Sequence, residues 1–262
     1  MRYRATVAYD GTAYLGFQRQ AGDTPTIQLA LERAIAAVTG QTATVIGAGR
    51  TDTGVHALGQ VIAFDVEWRH GDEDLLRAIN ANLPDDIALQ DIARQTGFHP
   101  RFDASSRVYQ YQVMQSPHRQ PLLRCRAWHV RGELDGEAMQ QAADLLVGRR
   151  DFAAFGRPPQ GENTVRTVFQ SQWTREPAAY GVLWTYRIEA DAFLQHMVRR
   201  IVGTLVEVGR GAMTLAQFEA ALQSANLAES GPLAPPHGLT LLAVKYSRGA
   251  PPCAPVQQVL KS

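Results

Sequence analysis

Lysine is almost missing from this chain of 262 residues: Lys245 and Lys261 stand against 24 arginines. Cysteine is as scarce. Cys125 and Cys253 are too few for a disulfide framework or a zinc site. No run approaches the roughly 18 apolar residues of a membrane span, and the first residues read as a strand rather than a signal core. The expectation is a soluble, cytoplasmic protein with no membrane partner. Nor does charge of one sign dominate. There are 26 basic and 25 acidic residues, a net of +1, which excludes the generally basic chain that many nucleic-acid binders present. What is present is enough apolar sequence, 45%, to bury a real core in one large domain or two modest ones.

The small net charge hides an uneven distribution. Residues 1–104 hold nine Arg and 13 acids, a net of −4, and residues 105–262 carry a net of +5. Between 105 and 131 lie Arg107, Arg119, Arg124, Arg126 and Arg131 and no acid at all. Local fields govern binding more than the total does. A preference for Arg over Lys suits bidentate capture of phosphate or carboxylate, although GC-rich coding would produce the same bias.

Periodicity predicts β-α-β-β-α-β over the first 93 residues, the split βαβ order. Its parts are a strand at 3–9, a helix entered through Thr24 and Pro25 and stopped by Gly40, strands at 43–47 and 60–66, a helix near 73–81 and a strand near 87–93. After a linking strand at 107–115 the order returns: a strand at 125–131, a helix at 136–147, strands at 164–174 and 180–190, a helix at 195–208 and a strand at 240–246. Thr214 and Gln217 predict a capping box for one extra helix. The expected fold is α+β: two tandem split βαβ (ferredoxin-like, RRM-like) α/β domains with mixed, mainly antiparallel sheets flanking a central active-site cleft. The domains are expected at 1–104 and 105–248, with a Pro-rich tail at 249–262.

The segment Gly47-Ala48-Gly49-Arg50-Thr51-Asp52-Thr53-Gly54-Val55-His56 places three glycines within eight residues. It lacks the Lys-Ser/Thr of a phosphate loop and the spacing of a dinucleotide fingerprint, so both readings fail. What remains is an Arg and an Asp two residues apart on a tight loop. An Asx turn with a surface ion pair would look the same.

The whole run GAGRTDTGVHALGQV resembles the signature of the pseudouridine synthases that act on the tRNA anticodon stem-loop. YDGTAYLGFQRQ at 9–20, NANLPDDIA at 80–88, FHPRFDASSRVYQY at 98–111, FLQHMVRRIVG at 193–203 and GLTLLAV at 238–244 fall in that family's order. The resemblance spans about residues 3–246. Phe17, Thr53 and Gln195 depart from the family's usual Trp, Ala and His. Carried over position by position, it implies that Asp52 is the catalytic carboxylate and Arg199 its cationic partner. Arg50 helps turn out the target base, and Tyr109 stacks on the uracil. It further implies a tRNA substrate modified at positions 38, 39 and 40, a homodimer, and neither metal nor organic cofactor.

The chemistry suits these residue types. A glycosidase uses two carboxylates because water must be activated as well as the leaving group protonated. Isomerising uridine consumes no water, so one ionised carboxylate, a dry site and a flat surface for the base suffice. A neighbouring Arg keeps such a carboxylate charged. On a helical wheel Val198, Ile201, Val202 and Leu205 form the expected buried stripe. Arg199 lies at its edge, and Arg200 on the opposite face. On the strand, Tyr109, Tyr111 and Val113 share a face that Arg107 joins by period two. This makes Arg107 a further candidate for substrate contact and leaves Tyr111 with the core. Stacking on an aromatic is worth about 1–3 kcal/mol, which helps offset the few kcal/mol of extruding a base. His56, His99 and His196 have no metal-ligand spacing and are assigned no role.

Overall fold

The computed structural model describes residues 1–158 and 161–247; the Pro-rich stretch 249–262, with Cys253, lies outside them. In chain order the elements are β1 (Arg2–Tyr9), α1 (Ile27–Thr39), β2 (Ile46–Gly47), β3 (His56–Asp65), α2 (Asp72–Asn80), β4 (Ile87–Arg94), β5 (Ala104–Gln115), β6 (Trp128–Val130), α3 (Gly136–Asp144), β7 (Gly148–Asp151), β8 (Val165–Ala178), β9 (Gly181–Ala190), α4 (Met197–Gly209), α5 (Leu215–Ser224) and β10 (Leu239–Tyr246). The architecture is mixed α+β with mainly antiparallel pairing. Two units divide the described residues: Met1–Ser105 with Thr240–Ser247, and Ser106–Leu239.

In the first unit β1 lies between β4 and β3, and β2 borders β3, all antiparallel. Both faces of β1 are covered. Tyr3, Ala5 and Val7 are fully buried on one, while Arg4 on the other is nearly so, with its guanidinium over the rings of Phe98 and Tyr246. β3 starts four residues before the expected 60 and is also buried on both faces (Val61, Ile62, Ala63, Phe64), so its alternation does not separate core from solvent.

Helix α1 begins later than expected. Thr26, not Thr24, is its N-cap, accepting the Leu29 amide. The Pro25 carbonyl is taken by the Leu15 amide at 2.9 Å, which keeps the chain extended through Thr26. Gly40 ends the helix in the left-handed region, as expected. The strand expected at 43–47 shrinks to Ile46–Gly47, because the Val45 amide donates instead to Glu32 Oε1 at 3.1 Å.

In the second unit β5 is not a linker. It pairs antiparallel with β9 from Arg107 opposite Ala190 to Gln115 opposite Val182. β9 continues to β8, and β8 to β7, a strand without a counterpart in the sequence reading. The expected strand at 125–131 reduces to three residues running parallel to the end of β5. Helix α5 has the full capping box of Thr214 and Gln217. β10, expected to complete the second domain, instead lies in the first unit, where Thr240 pairs parallel with His56 of β3.

Helix α4 corrects the expected single stripe. Gly203, Thr204 and Val206 are buried along with Val198, Ile201, Val202 and Leu205. The segment 231–235 crosses its far side: the Gly231 amide donates to Thr204 Oγ1 at 2.9 Å, and Pro232 lies against Gly203.

Candidate active site

Asp52 sits between β2 and β3 on a loop fastened residue by residue. The Ala48 amide donates to the Val61 carbonyl at 2.8 Å, and Gln60 Nε2 to the Gly49 carbonyl at 2.8 Å. The Thr51 carbonyl accepts the Phe17 amide at 3.0 Å, and its hydroxyl bonds that of Tyr9 at 2.8 Å in a buried contact. The Asp52 carbonyl accepts the Val55 amide at 3.1 Å, closing the turn. Thr51 is therefore buried, Asp52 half-buried, and Arg50 and Thr53 exposed. The YDGTAYLGF segment forms the other wall of this loop. A Cβ on Gly11 would stand 2.0 Å from the Val55 carbonyl oxygen, so only glycine permits the approach. His56, 2% exposed, closes the same corner: its Nδ1 accepts the Gly11 amide at 3.1 Å and lies 3.0 Å from Asp10 Oδ1.

Tyr9 is the support that the sequence did not mark. Burial pushes its phenol up to about 12, against hydrogen bonds to Thr51 and Gln60 that pull it down, so the hydroxyl stays protonated at ordinary pH. Tyr9→Phe is expected to cost about 1–3 kcal/mol, the range for leaving a buried polar group unpaired. Urea unfolding checks this, and parental stability would show that the bond contributes nothing.

Arg107, Tyr109 and Arg199 belong to the second unit. Tyr109 is 8% exposed on β5, opposite Ile188, with the Phe193 ring edge-on at 5.1 Å. Tyr111 is fully buried, donating its hydroxyl to the Pro235 carbonyl at 2.7 Å. Burial raises its phenol well above the usual range, and the nearby Arg199 charge works against that rise. Arg199 does not snorkel to solvent. Its Nε donates to the Ala234 carbonyl at 2.8 Å, while the Ala234 amide donates to the Arg199 carbonyl at 3.2 Å. Consecutive carbonyls, 234 and 235, thus hold Arg199 and Tyr111. Arg107 Nη1 donates to the Asp191 carbonyl at 2.7 Å, tying β5 to the end of β9.

His196 and His99 carry no assigned role. His196 precedes α4 in a left-handed conformation, φ 64°, a strained geometry for a non-glycine residue. It lines a pocket of about 260 Å³ with Arg157, Gln195 and Arg200. His99 accepts the Arg101 and Phe102 amides at Nδ1, each at 3.2 Å, and so shapes a loop. Among the described residues no group of His, Cys, Asp and Glu could hold a metal ion, and no helix is long and apolar enough to cross a membrane.

The first unit thus holds Asp52 on a loop pinned through its main chain, and the second unit anchors Arg199 through Ala234. A family model described as tRNA pseudouridine synthase matches residues 5–103 and 142–247. The chain belongs to that family and is an isomerase. It is 41% identical over 248 residues to tRNA pseudouridine synthase A of Neisseria gonorrhoeae (strain NCCP11945), covering 94% of this chain and 92% of that one. It is 45% identical to tRNA pseudouridine synthase A of Chloroflexus aurantiacus (strain ATCC 29366 / DSM 635 / J-10-fl), covering 93% and 88%. A solved structure of a Cbf5-Nop10-Gar1 complex aligns at 12% identity with a TM-score of 0.32, over 78% of this chain and 54% of that one. That likeness is too slight to argue from.

Proposed function

We propose that the enzyme converts uridine to pseudouridine at positions 38, 39 and 40 of the tRNA anticodon stem-loop, with Asp52 as the catalytic carboxylate and no cofactor. The observation that carries this reading is the loop 48–55. Its main chain is fastened at Ala48, Gly49, Thr51, Asp52 and Val55, which leaves one carboxylate held by its backbone on a loop whose sequence matches the family's. A preorganised carboxylate loses little entropy when the reaction begins.

In the proposed reaction the C1′–N1 bond breaks, the uracil turns while stacked on Tyr109, and C5 bonds to C1′. The proton leaves C5 and N1 gains one, so the isomerisation balances without water. Arg199, supported through Ala234, is the cationic partner of Asp52. Arg50, exposed and without an ion-pair partner among the described residues, helps displace the base from its stem. Arg107 supports the substrate strand. We also read the two units as tandem split βαβ domains and the active species as a cytoplasmic homodimer.

Pseudouridine mapping in tRNA from cells that lack and then regain the gene tests the positions. Loss and recovery at 38–40 alone is the expected outcome. Loss elsewhere, or none, overturns the assignment of position.

A further inference from the structure

The acid-free stretch after β5 finds no use in the reaction above, and the structure builds a pocket from it. A cavity of about 490 Å³ in the second unit is floored by Met114, Leu123 and Trp128 and rimmed by Arg119, Arg124 and His237. That volume falls within the roughly 300–1,000 Å³ of ordinary ligand pockets.

The walls are held in place. The Ser116 amide donates to the Val130 carbonyl at 3.0 Å, Ser116 Oγ to the His118 carbonyl at 2.8 Å, and Gln120 Nε2 to Ser116 Oγ at 3.2 Å. His129 Nε2 bonds the Ser116 carbonyl at 2.9 Å, and the Ala127 amide donates to the Leu123 carbonyl at 2.9 Å. The Arg210 guanidinium lies 5.6 Å from the Trp128 ring centroid, with its charge paired to Glu207. Arg119 and Arg124 are exposed and have no ion-pair partner among the described residues.

An apolar floor beside two exposed arginines, with no carboxylate lining it, fits an unpaired nucleotide: the base against Leu123 and Trp128, the phosphate at Arg119 and Arg124. Along β5 the five steps from Tyr109 to Met114 span about 17 Å. The nucleotide in this pocket is therefore not the one stacked on Tyr109. We propose that the pocket is a second RNA-binding site that seats an unpaired nucleotide of the tRNA away from the one being isomerised. This rests on tRNA being the substrate.

The test uses the full chain and an unmodified tRNA transcript. The double variant Arg119→Ala/Arg124→Ala removes two exposed side chains and is expected to fold. Its Kd and KM for tRNA should rise about tenfold, with kcat within about twofold of the parent. Its slope of log affinity against log salt should fall by about 0.7–0.9, the loss of one neutralised phosphate. Leu123→Ala should weaken binding with the salt slope unchanged, because it removes floor and not charge. Parental Kd and salt slope in the double variant overturn the pocket alone. Failure of the parent protein to bind tRNA overturns both the pocket and the functional reading.

Discussion

Asp52→Asn is expected to bind tRNA as the parent does and to form pseudouridine at least about 10⁴-fold more slowly, the scale on which a single essential group acts. The amide has the size of the carboxylate, and main-chain bonds close the turn that holds it. Val55 is bonded to the Asp52 carbonyl, and the Thr51 carbonyl is bonded to the Phe17 amide. Binding geometry therefore survives. What disappears is the negative charge, and an amide can neither add to C1′ nor take a proton from the sugar. Binding is read by titration and turnover by the pseudouridine content of the tRNA. Parental turnover would remove Asp52 from the mechanism, and loss of binding would make it a structural residue of the loop.

Gly203→Ala is the second substitution with a large expected effect, although Gly203 carries no functional group. Its Cβ would stand 1.7 Å from the Pro232 carbonyl oxygen and 3.3 Å from the Ala234 amide nitrogen. Alanine favours a helix over glycine by about 1 kcal/mol, but overpacking of this kind costs about 1–3 kcal/mol or more. We expect a net loss of about 2 kcal/mol and a Tm lower by about 4–8 °C, at the 2–4 °C per kcal/mol typical of chains this long. Activity should fall further than stability explains. The displaced segment carries Ala234, whose amide and carbonyl both hold Arg199, and Pro235, which holds Tyr111. Parental Tm and kcat together would show that the segment yields without moving Arg199.

The candidate residues were legible because their signals are local. Asp52 and Arg50 stand out as the polar pair on a Gly-rich loop, and Tyr109 repeats at period two on a strand. Arg199 sits beside the apolar stripe of a helix. The supports were not legible. Tyr9 reads as one more strand residue until its hydroxyl meets Thr51, 42 positions away. Pro232 and Ala234 read as loop until they cover α4. Thr24 and Pro25 form a sound start signal for a helix, yet the Leu15 amide claims the Pro25 carbonyl and moves the cap to Thr26. Val45 has the branching of a strand residue, and a buried Glu32 carboxylate takes its amide.

By itself the sequence determined the α+β class, most of the longer helices and strands, the caps at Gly40 and Thr214, and the family to which the chain belongs. These depend on periodicity, capping and motif order, which are properties of neighbouring residues. Only the tertiary structure decided that β5 is a full sheet strand and that β10 pairs with β3 in the first unit. It alone showed that α4 is buried on its far side, that Arg199 is fixed through Ala234, and that the scattered arginines of 119–124 rim one pocket. Each of these depends on which distant backbone group satisfies a buried donor or acceptor. Local pattern requires that a buried polar group be satisfied, but the folded chain chooses the partner.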